Sequence, residues 1–168
     1  MRTPVRSAAI VGSVMETQRL SLTPIDRATA LAIMDDDRTG RAWHEQFPRE
    51  DDRDGVGGWL SHGDPVFADF VIVERASGQA VGTIGFFGPP DETGTVMIGY
   101  GLVEPARGHG YATEALRALV GYAAGQPGAK RMIADPEKGN APSQRVLSKA
   151  GFTQTHETDD AVWYALDL

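Results

Sequence analysis

The sequence predicts one α/β domain of the mixed α+β kind, with helices on both faces of a sheet of six to seven strands. Two observations lead to this fold class. Apolar, β-rich runs recur through the middle and the end of the chain, and amphipathic helical segments separate the later runs. The length of 168 residues and the hydrophobic fraction of 41% suit one sizeable core, so a second domain is not expected.

The first half of the chain begins with clear elements and then loses its pattern. Alternation over residues 19–25 predicts a strand, and residues 26–36 predict a helix with Asp26 as its N-cap. Between residues 40 and 65, aromatic side chains are mixed with acids and with several glycines. The glycines interrupt any helical period, so we expect short helices joined by loops in this region.

The second half is expected to alternate between strands and helices. Residues 66–75 and 79–88 predict a hairpin with Gly78 at its turn, and a third antiparallel strand follows at 95–103. The remaining expected elements are a helix at 110–124, a strand at 129–135, a helix at 141–150 and a closing pair of strands at 152–158 and 161–168.

Charge and residue usage exclude several functional classes. The formal net charge is −7 and Lys and Arg form no cluster, which argues against a nucleic-acid partner. The chain has no cysteine, so disulfides, thiol nucleophiles and cysteine zinc sites are excluded and a cytoplasmic location is favoured. No apolar run approaches the roughly 18 residues that a membrane-spanning helix needs. Residues 1–15 are interpreted as a flexible leader, and residues 16–168 as the domain.

One short segment, RGHGYA at residues 107–112, lies between an apolar strand and an amphipathic helix. The first turn of a helix has backbone N–H groups without intrahelical partners and carries a partial positive charge. Gly108 and Gly110 remove side chains that would shield these groups, while Arg107 adds a charged donor. Thr113 adds a hydroxyl. The segment therefore predicts a phosphate site, or else a tight turn in which the glycines only supply positive φ angles.

A dinucleotide fingerprint is the rival interpretation of the same glycines. That fingerprint has the form G-x-G-x-x-G directly after a strand. Here Thr113 occupies the third glycine position, and four residues separate the strand from the first glycine. Too few parallel βαβ units follow this point, so we reject a Rossmann site.

The segment RGHGYA matches the R/Q-x-x-G-x-G/A pyrophosphate loop of the GNAT acetyltransferases. NAPSQRVLSKAGF, at residues 140–152, resembles the second signature of their ribosomal-protein-alanine N-acetyltransferase branch. The opening ETQRLSLTPI and the strand TVMIGYGLV are also similar to that branch, so the resemblance covers about residues 16–168. It implies a splayed mixed sheet that holds an acyl-CoA, usually acetyl-CoA, in the gap between the fourth and fifth strands.

The resemblance assigns two kinds of cofactor contact. The loop would hold the pyrophosphate, and the residues expected to do so are Arg107, Gly108, His109, Gly110, Tyr111, Ala112 and Thr113. The amides of the pantetheine arm could extend a strand edge at Leu102 and Val103, just before Pro105 ends the ladder. By resemblance, Asn140 would contact the same arm, although Asn140 also suits an ordinary helix N-cap.

Acetyl transfer needs a neutral amine, a stabilised oxyanion and a protonated thiolate leaving group. Backbone N–H groups near Tyr100 to Val103 could stabilise the oxyanion. Ser143 lies on the apolar stripe of its helix, and the resemblance places it near the thioester sulfur, where it could act as the general acid. Many GNAT members use a tyrosine for this step, and the corresponding helix here has none.

The base is the second departure from the family pattern. Related sequences often have a glutamate where this chain has Met97. An α-amine, with a pKa of about 7.7–8.0, needs less help to become neutral than a lysine at about 10.4. We therefore expect no dedicated strong base, and His44, Glu45, Asp69 and Glu74 remain candidates acting through water.

Other clusters carry weaker expectations. Trp43, His44 and Phe47 are expected either to line a substrate cleft or to anchor the core. The acidic run at residues 50–55 is interpreted as a solvated loop, because Ser61 stands where a calcium loop requires a bidentate Glu. The four histidines share no zinc-ligand spacing, so no metal is expected.

The expected function is an N-acetyltransferase that moves an acetyl group from acetyl-CoA to a primary amine by direct attack in a ternary complex. The amine belongs to a peptide or protein N-terminus or to a small molecule. A catalytically weak acyl-CoA-binding module stays open as the alternative, because Met97 and the missing tyrosine weaken the case for catalysis. The oligomeric state is also open, with a homodimer as one expectation.

Overall fold

Eight strands and four α-helices make up residues 13–168, the part of the chain that the computed structural model describes. In chain order the strands are β1 Met15–Glu16, β2 Leu20–Pro24, β3 Asp69–Glu74, β4 Gln79–Phe86, β5 Thr95–Leu102, β6 Arg131–Ala134, β7 Thr153–Glu157 and β8 Val162–Asp167. The helices are α1 Arg27–Asp35, α2 Glu50–His62, α3 Tyr111–Ala124 and α4 Ala141–Lys149, and a 3-10 turn spans Glu104–Ala106.

All eight strands belong to one mixed sheet in the order β1-β2-β3-β4-β5-β6-β8-β7. Every neighbouring pair is antiparallel except β5 and β6, which run parallel. The predicted hairpin is formed by β3 and β4, with Gly78 in the left-handed conformation at φ 71°. The predicted mixed α/β class is confirmed, with one strand more than expected because the two-residue β1 joins the edge.

The sheet splits at its parallel pair. β5 pairs with β4 along residues 98–102 but with β6 only along residues 95–97. β6 has only four residues and leaves the ladder early, so the β5 edge from residue 98 onward faces a gap. Such an edge presents backbone N–H and C=O groups that no strand satisfies.

Helices cover both faces of the sheet around this gap. α2 packs on β3, β4 and β5, and α3 packs on β2, β4 and β5. Leu116 and Leu119 of α3 are fully buried, as the apolar stripe predicts, and so is Val56 of α2. The packing of both helices on β4 and β5 fixes the start of α3 beside the open edge.

The long helix α2 corrects the expectation of short helices and an acidic loop. It runs without a break through its three glycines, and the acidic run forms its first half. Acids in a first turn are favourable because the N-terminal end of a helix carries partial positive charge. Asp52 also accepts the backbone N–H of Arg49 at 2.9 Å, which closes the helix start.

The expected leader falls largely on residues 1–12, which lie outside the described residues. Its last residue, Met15, pairs with Leu22 in β1 and β2. Within residues 13–168, no helix is both long and apolar enough to cross a membrane.

Candidate active site

The loop between β5 and α3 presents an uninterrupted run of backbone N–H groups. Among residues 13–168, no acceptor lies within hydrogen-bond reach of the N–H groups of residues 108–113. The first ladder bond of α3 runs from the Glu114 N–H to the Gly110 carbonyl at 3.1 Å, and no side chain caps the helix. Gly108 and Gly110 have φ angles of 78° and 82°, which only glycine adopts without cost. Six successive donors are therefore available to an anion.

Two arginines flank this loop, and only one of them was expected there. Arg107 donates from Nε to the Leu102 carbonyl at 3.0 Å, so its guanidinium is anchored beside the end of β5. Arg19, the residue before β2, donates from Nη1 to the His109 carbonyl at 2.7 Å and stacks over the Tyr111 ring at 4.7 Å. The sequence offered no signal for Arg19, because almost ninety residues separate it from the loop.

An open depression of about 680 Å³ continues from the start of α3. Its lining includes Gly110 and Thr113 of the predicted loop and three cationic side chains, Arg19, Arg117 and Lys149. From the described part of the chain only one acid, Glu114, lines it, and Glu114 is bonded to Arg19 at 2.9 Å. The depression therefore carries net positive charge in an otherwise acidic protein.

The open edge of β5 corrects the prediction for Val103. The Val103 N–H donates to the Val81 carbonyl at 2.8 Å, and its carbonyl accepts from the Ala106 N–H at 3.0 Å. Both backbone groups are occupied, so Val103 offers nothing to a ligand. Backbone groups alternate in direction along an antiparallel ladder, so Tyr100 and Leu102 point theirs into the gap. The Leu102 carbonyl already accepts from Arg107 Nε, which leaves the Leu102 N–H open.

A tyrosine and a serine meet across the gap. The Tyr100 hydroxyl lies 2.8 Å from Ser143 Oγ and donates to the Ser143 carbonyl at 3.1 Å. Asn140 caps α4 by accepting the Ser143 N–H at 3.2 Å, which holds the serine in place. Burial raises the pKa of Tyr100 to about 12. A tyrosine side chain from β5 is thus present beside Ser143, although only the backbone of Tyr100 was predicted to take part.

A second cavity, of about 310 Å³, lies on the α2 side of the sheet. Gly85 and Gly99 line its sheet side, and Phe87 stands at its edge with 58% of its surface exposed. The charged residues that line it are Arg49, Asp51, Asp54 and Asp69. Three carboxyl groups against one guanidinium make the cavity suitable for a cation.

A buried carboxylate fixes the position of α2 over this cavity. Asp52 has no exposed surface and accepts from the Arg49 backbone N–H, from Arg49 Nη2 at 3.0 Å and from the Thr83 hydroxyl at 2.6 Å. A Cβ at Gly101 would lie 2.7 Å from the Arg49 guanidinium carbon, so glycine is needed for this arginine to cross β5. The three bonds satisfy the buried carboxylate.

Asp69 is the unusual member of the cavity. It is only 7% exposed, its carboxylate accepts no hydrogen bond from residues 13–168, and Oδ2 is buried without a partner. Loss of hydration, with a smaller contribution from the charge of Asp52, raises the pKa of Asp69 from 3.8 to about 7. A Cβ at Gly85 would collide with the carboxylate, so the glycine makes room for it.

The expected substrate residues do not line this cavity. Trp43 and Phe47 are buried in the core with their rings 5.3 Å apart, edge to face, and Trp43 forms a bridge with Ala80. His44 Nδ1 accepts the Gln46 N–H at 3.0 Å. Trp43 and Phe47 therefore follow the core alternative, because the bridge to β4 draws their segment into the core, whereas His44 is half-buried and lies outside the core cluster.

Comparisons with known proteins agree with this geometry. The sequence pattern of the family described as "Acetyltransferase (GNAT) domain" matches residues 19–153. The chain belongs to the GNAT acetyltransferase family. It is 29% identical over 155 residues to YjdG, an uncharacterised N-acetyltransferase of Bacillus subtilis, and the match covers 86% of this chain and 92% of YjdG.

Solved structures of GNAT proteins share the fold. Ribosomal-protein-S5-alanine acetyltransferase of Vibrio fischeri has a TM-score of 0.70 at 17% identity, covering 92% of this chain and 96% of its own. The ribosomal L7/L12 α-N-protein acetyltransferase RimL, in complex with coenzyme A, has a TM-score of 0.71 at 18% identity, covering 93% and 98%. The GNAT fold is thereby shown, and this GNAT chain is an acetyltransferase.

Proposed function

We propose that this GNAT enzyme transfers an acetyl group from acetyl-CoA to a primary amine by direct attack in a ternary complex. The observation that carries the proposal is the run of six unpartnered N–H groups at residues 108–113, next to the open edge of β5. A pyrophosphate suits the first feature and the amides of a pantetheine arm suit the second. Together they direct a thioester toward Tyr100 and Ser143.

The residues present fit acetyl-CoA along its length. Arg19 and Arg107 would supplement the loop N–H groups at the pyrophosphate, and the cationic depression would receive the remaining phosphate. The Leu102 N–H and the backbone groups of Tyr100 would pair with the pantetheine amides and with the thioester oxygen. Acetyl-CoA supplies an acyl group activated by a good leaving group, and this chain supplies its orientation.

The hydroxyl pair at the sulfur acts by hydrogen bonding. With a pKa of about 12, Tyr100 is a far weaker acid than a thiol of about 8.5, so full proton transfer to a thiolate is unfavourable. When Tyr100 donates its proton to Ser143 Oγ rather than to the Ser143 carbonyl, the serine's own O–H is free to donate a hydrogen bond to the departing sulfur. The cap at Asn140 holds the serine backbone in place. The proton that the sulfur finally carries comes from the attacking nitrogen.

The acceptor is a cationic amine that enters through the second cavity. Its acids attract an ammonium group, and the exposed ring of Phe87 offers apolar contact to the group behind it. The fold neighbours named above act on ribosomal proteins, which supports a peptide or protein N-terminus ahead of a small-molecule amine. A cytoplasmic location, where acetyl-CoA is available, belongs to the same proposal.

An amine panel tests this function. Purified protein is supplied with acetyl-CoA, and thiol release is followed with peptide α-amines, lysine peptides, polyamines or amino sugars as acceptors, with amine-free reactions as controls. We expect release that depends on the amine and an acetylated product by mass spectrometry. Release that is equal with and without every amine would refute the proposal and favour an acyl-CoA-binding module.

A further inference from the structure

Asp69 is a buried carboxylate that lines the second cavity and accepts no hydrogen bond from residues 13–168. Its Oδ2 has no hydrogen-bond partner within residues 13–168, and 93% of its surface is buried. Buried carboxylates in folded proteins are normally hydrogen-bonded or paired. An unsatisfied one that lines a cavity therefore requires a partner from outside the chain.

The sheet register places this carboxylate close to the proposed acetyl-transfer point. Asp69 is paired with Gly85, and Gly85 is paired with Gly99, so the three residues form one row across β3, β4 and β5. The carboxylate leans over Gly85, because a Cβ there would collide with it. Neighbouring strands are about 4.8 Å apart, so the carboxylate lies roughly one strand spacing from Gly99. Tyr100, which points its N–H into the gap, is the next residue.

The charged groups around Asp69 are engaged with other partners, which leaves the Asp69 carboxylate available to a ligand. On α2, Arg49 is engaged by Asp52 at 3.0 Å and lies 3.8 Å from Asp51, while Asp54 adds a further negative charge.

On the sheet, the Thr83 hydroxyl donates its hydrogen bond to Asp52, and the Tyr100 hydroxyl is hydrogen-bonded to Ser143. No donor within residues 13–168 forms a hydrogen bond with the Asp69 carboxylate, so an incoming ammonium group would meet an unsatisfied acceptor.

We infer that Asp69 is the base of the proposed reaction and takes a proton from the ammonium group of the acceptor. This inference rests on the proposed function. The O–H bond formed on Asp69 replaces one N–H bond of the ammonium, and the nitrogen regains its lone pair. That pair forms the C–N bond at the thioester carbon, and the C–S bond breaks with its electrons on sulfur. The second proton leaves the nitrogen for the sulfur, and Asp69 returns its proton to water.

The position of Asp69 favours an acceptor of modest basicity. The pKa of Asp69 is about 7, so an α-ammonium with a pKa of about 7.7–8.0 gives up its proton at a cost of no more than about tenfold. For a lysine ammonium with a pKa of about 10.4, the same transfer is unfavourable by more than about 1,000-fold. Asp69 therefore also biases the enzyme toward α-amines.

The test compares wild type with Asp69→Asn, using the most active amine of the panel. Asn keeps the shape of the side chain, and Asp159→Asn in the exposed β7–β8 turn is the matched control. We expect Asp69→Asn to lower kcat by about 10²-fold or more while the Kd for CoA stays within about threefold of wild type. The wild-type rate should fall below about pH 7 and that acidic limb should vanish in the variant.

A second readout does not depend on activity. Carbon-13 NMR of aspartate-labelled protein should show one carboxyl that titrates near pH 7 and disappears in Asp69→Asn. If that carboxyl titrates below pH 5, or if the variant keeps kcat within about threefold, the inference is overturned while the proposed function stands. If wild type neither binds CoA nor acetylates any amine, the proposed function fails first.

Discussion

The buried Asp69 carboxylate should lower the free energy of unfolding, so its replacement by Asn is expected to stabilise the protein. The folded-state pKa of about 7 exceeds the ordinary value of 3.8, so between these pH values the folded protein binds more protons than the unfolded chain. The free energy of unfolding therefore falls as the pH rises from about 4 to about 7. Three pKa units at 1.36 kcal/mol each give about 4 kcal/mol above pH 7, a penalty that Asn does not incur.

Urea denaturation of wild type and Asp69→Asn at pH 4.5 and pH 8 measures this effect. At pH 8 the variant should be more stable by about 4 kcal/mol, equivalent to a rise in Tm of roughly 8–16 °C, and the difference should shrink toward zero near pH 4. Asp159→Asn, the exposed control, should stay within about 0.5 kcal/mol of wild type at both pH values. If the Asn variant is no more stable than wild type at pH 8, the conclusion that the Asp69 carboxylate is desolvated and unpartnered is contradicted.

Three further predictions concern the surroundings of this residue and the cofactor site. Asp52→Ala should cost about 3–5 kcal/mol, because the Arg49 guanidinium loses its buried partner, whereas Thr83→Val should cost only about 1 kcal/mol. Urea unfolding at pH 7 compares the free energies of unfolding of the two variants. Equal losses of stability would contradict the hydrogen-bond network around Asp52. Tyr100→Phe should lower kcat by about tenfold with little change in the Kd for CoA, because the Ser143 hydroxyl loses its fixed orientation. An unchanged kcat in steady-state kinetics would contradict the role of Tyr100 in orienting Ser143. Arg117→Ala should raise the Kd for CoA about threefold to tenfold at low salt and less at high salt, measured by calorimetry, and a salt-independent change would argue against an ionic contact.

The parts of the fold that local chemistry determines were predictable from the sequence. The β3–β4 hairpin follows from two apolar runs around Gly78, and α3 follows from its apolar stripe. The helix α2 was not predictable in the same way, because its glycines carry a local penalty that packing outweighs. A Cβ at Gly55 or at Gly57 would make only ordinary van der Waals contact, with Asp69 and with Met34 respectively, so no close contact requires a glycine at either position.

The residues of the candidate site also divide into those that the sequence could predict and those that it could not. The loop at residues 107–113 was recognisable because its motif is continuous in sequence. Asp69 looks like an ordinary polar residue at the start of an apolar strand, and its isolation depends on Gly85 across the hairpin and Asp52 from α2. Likewise, 43 residues separate Tyr100 from Ser143, and only the folded chain brings their hydroxyls together.

Titration calorimetry of CoA with Gly110→Glu tests the central claim, which is that the bare N–H groups at the start of α3 hold a diphosphate. Gly128→Glu is the matched control, because it has a similar φ of 88° and open space around it, but lies outside the loop. Wild type and Gly128→Glu should bind CoA with the same Kd, and Gly110→Glu should lose at least about 100-fold in affinity through bulk and like charge. A folded Gly110→Glu variant that binds CoA as tightly as the control would contradict the account.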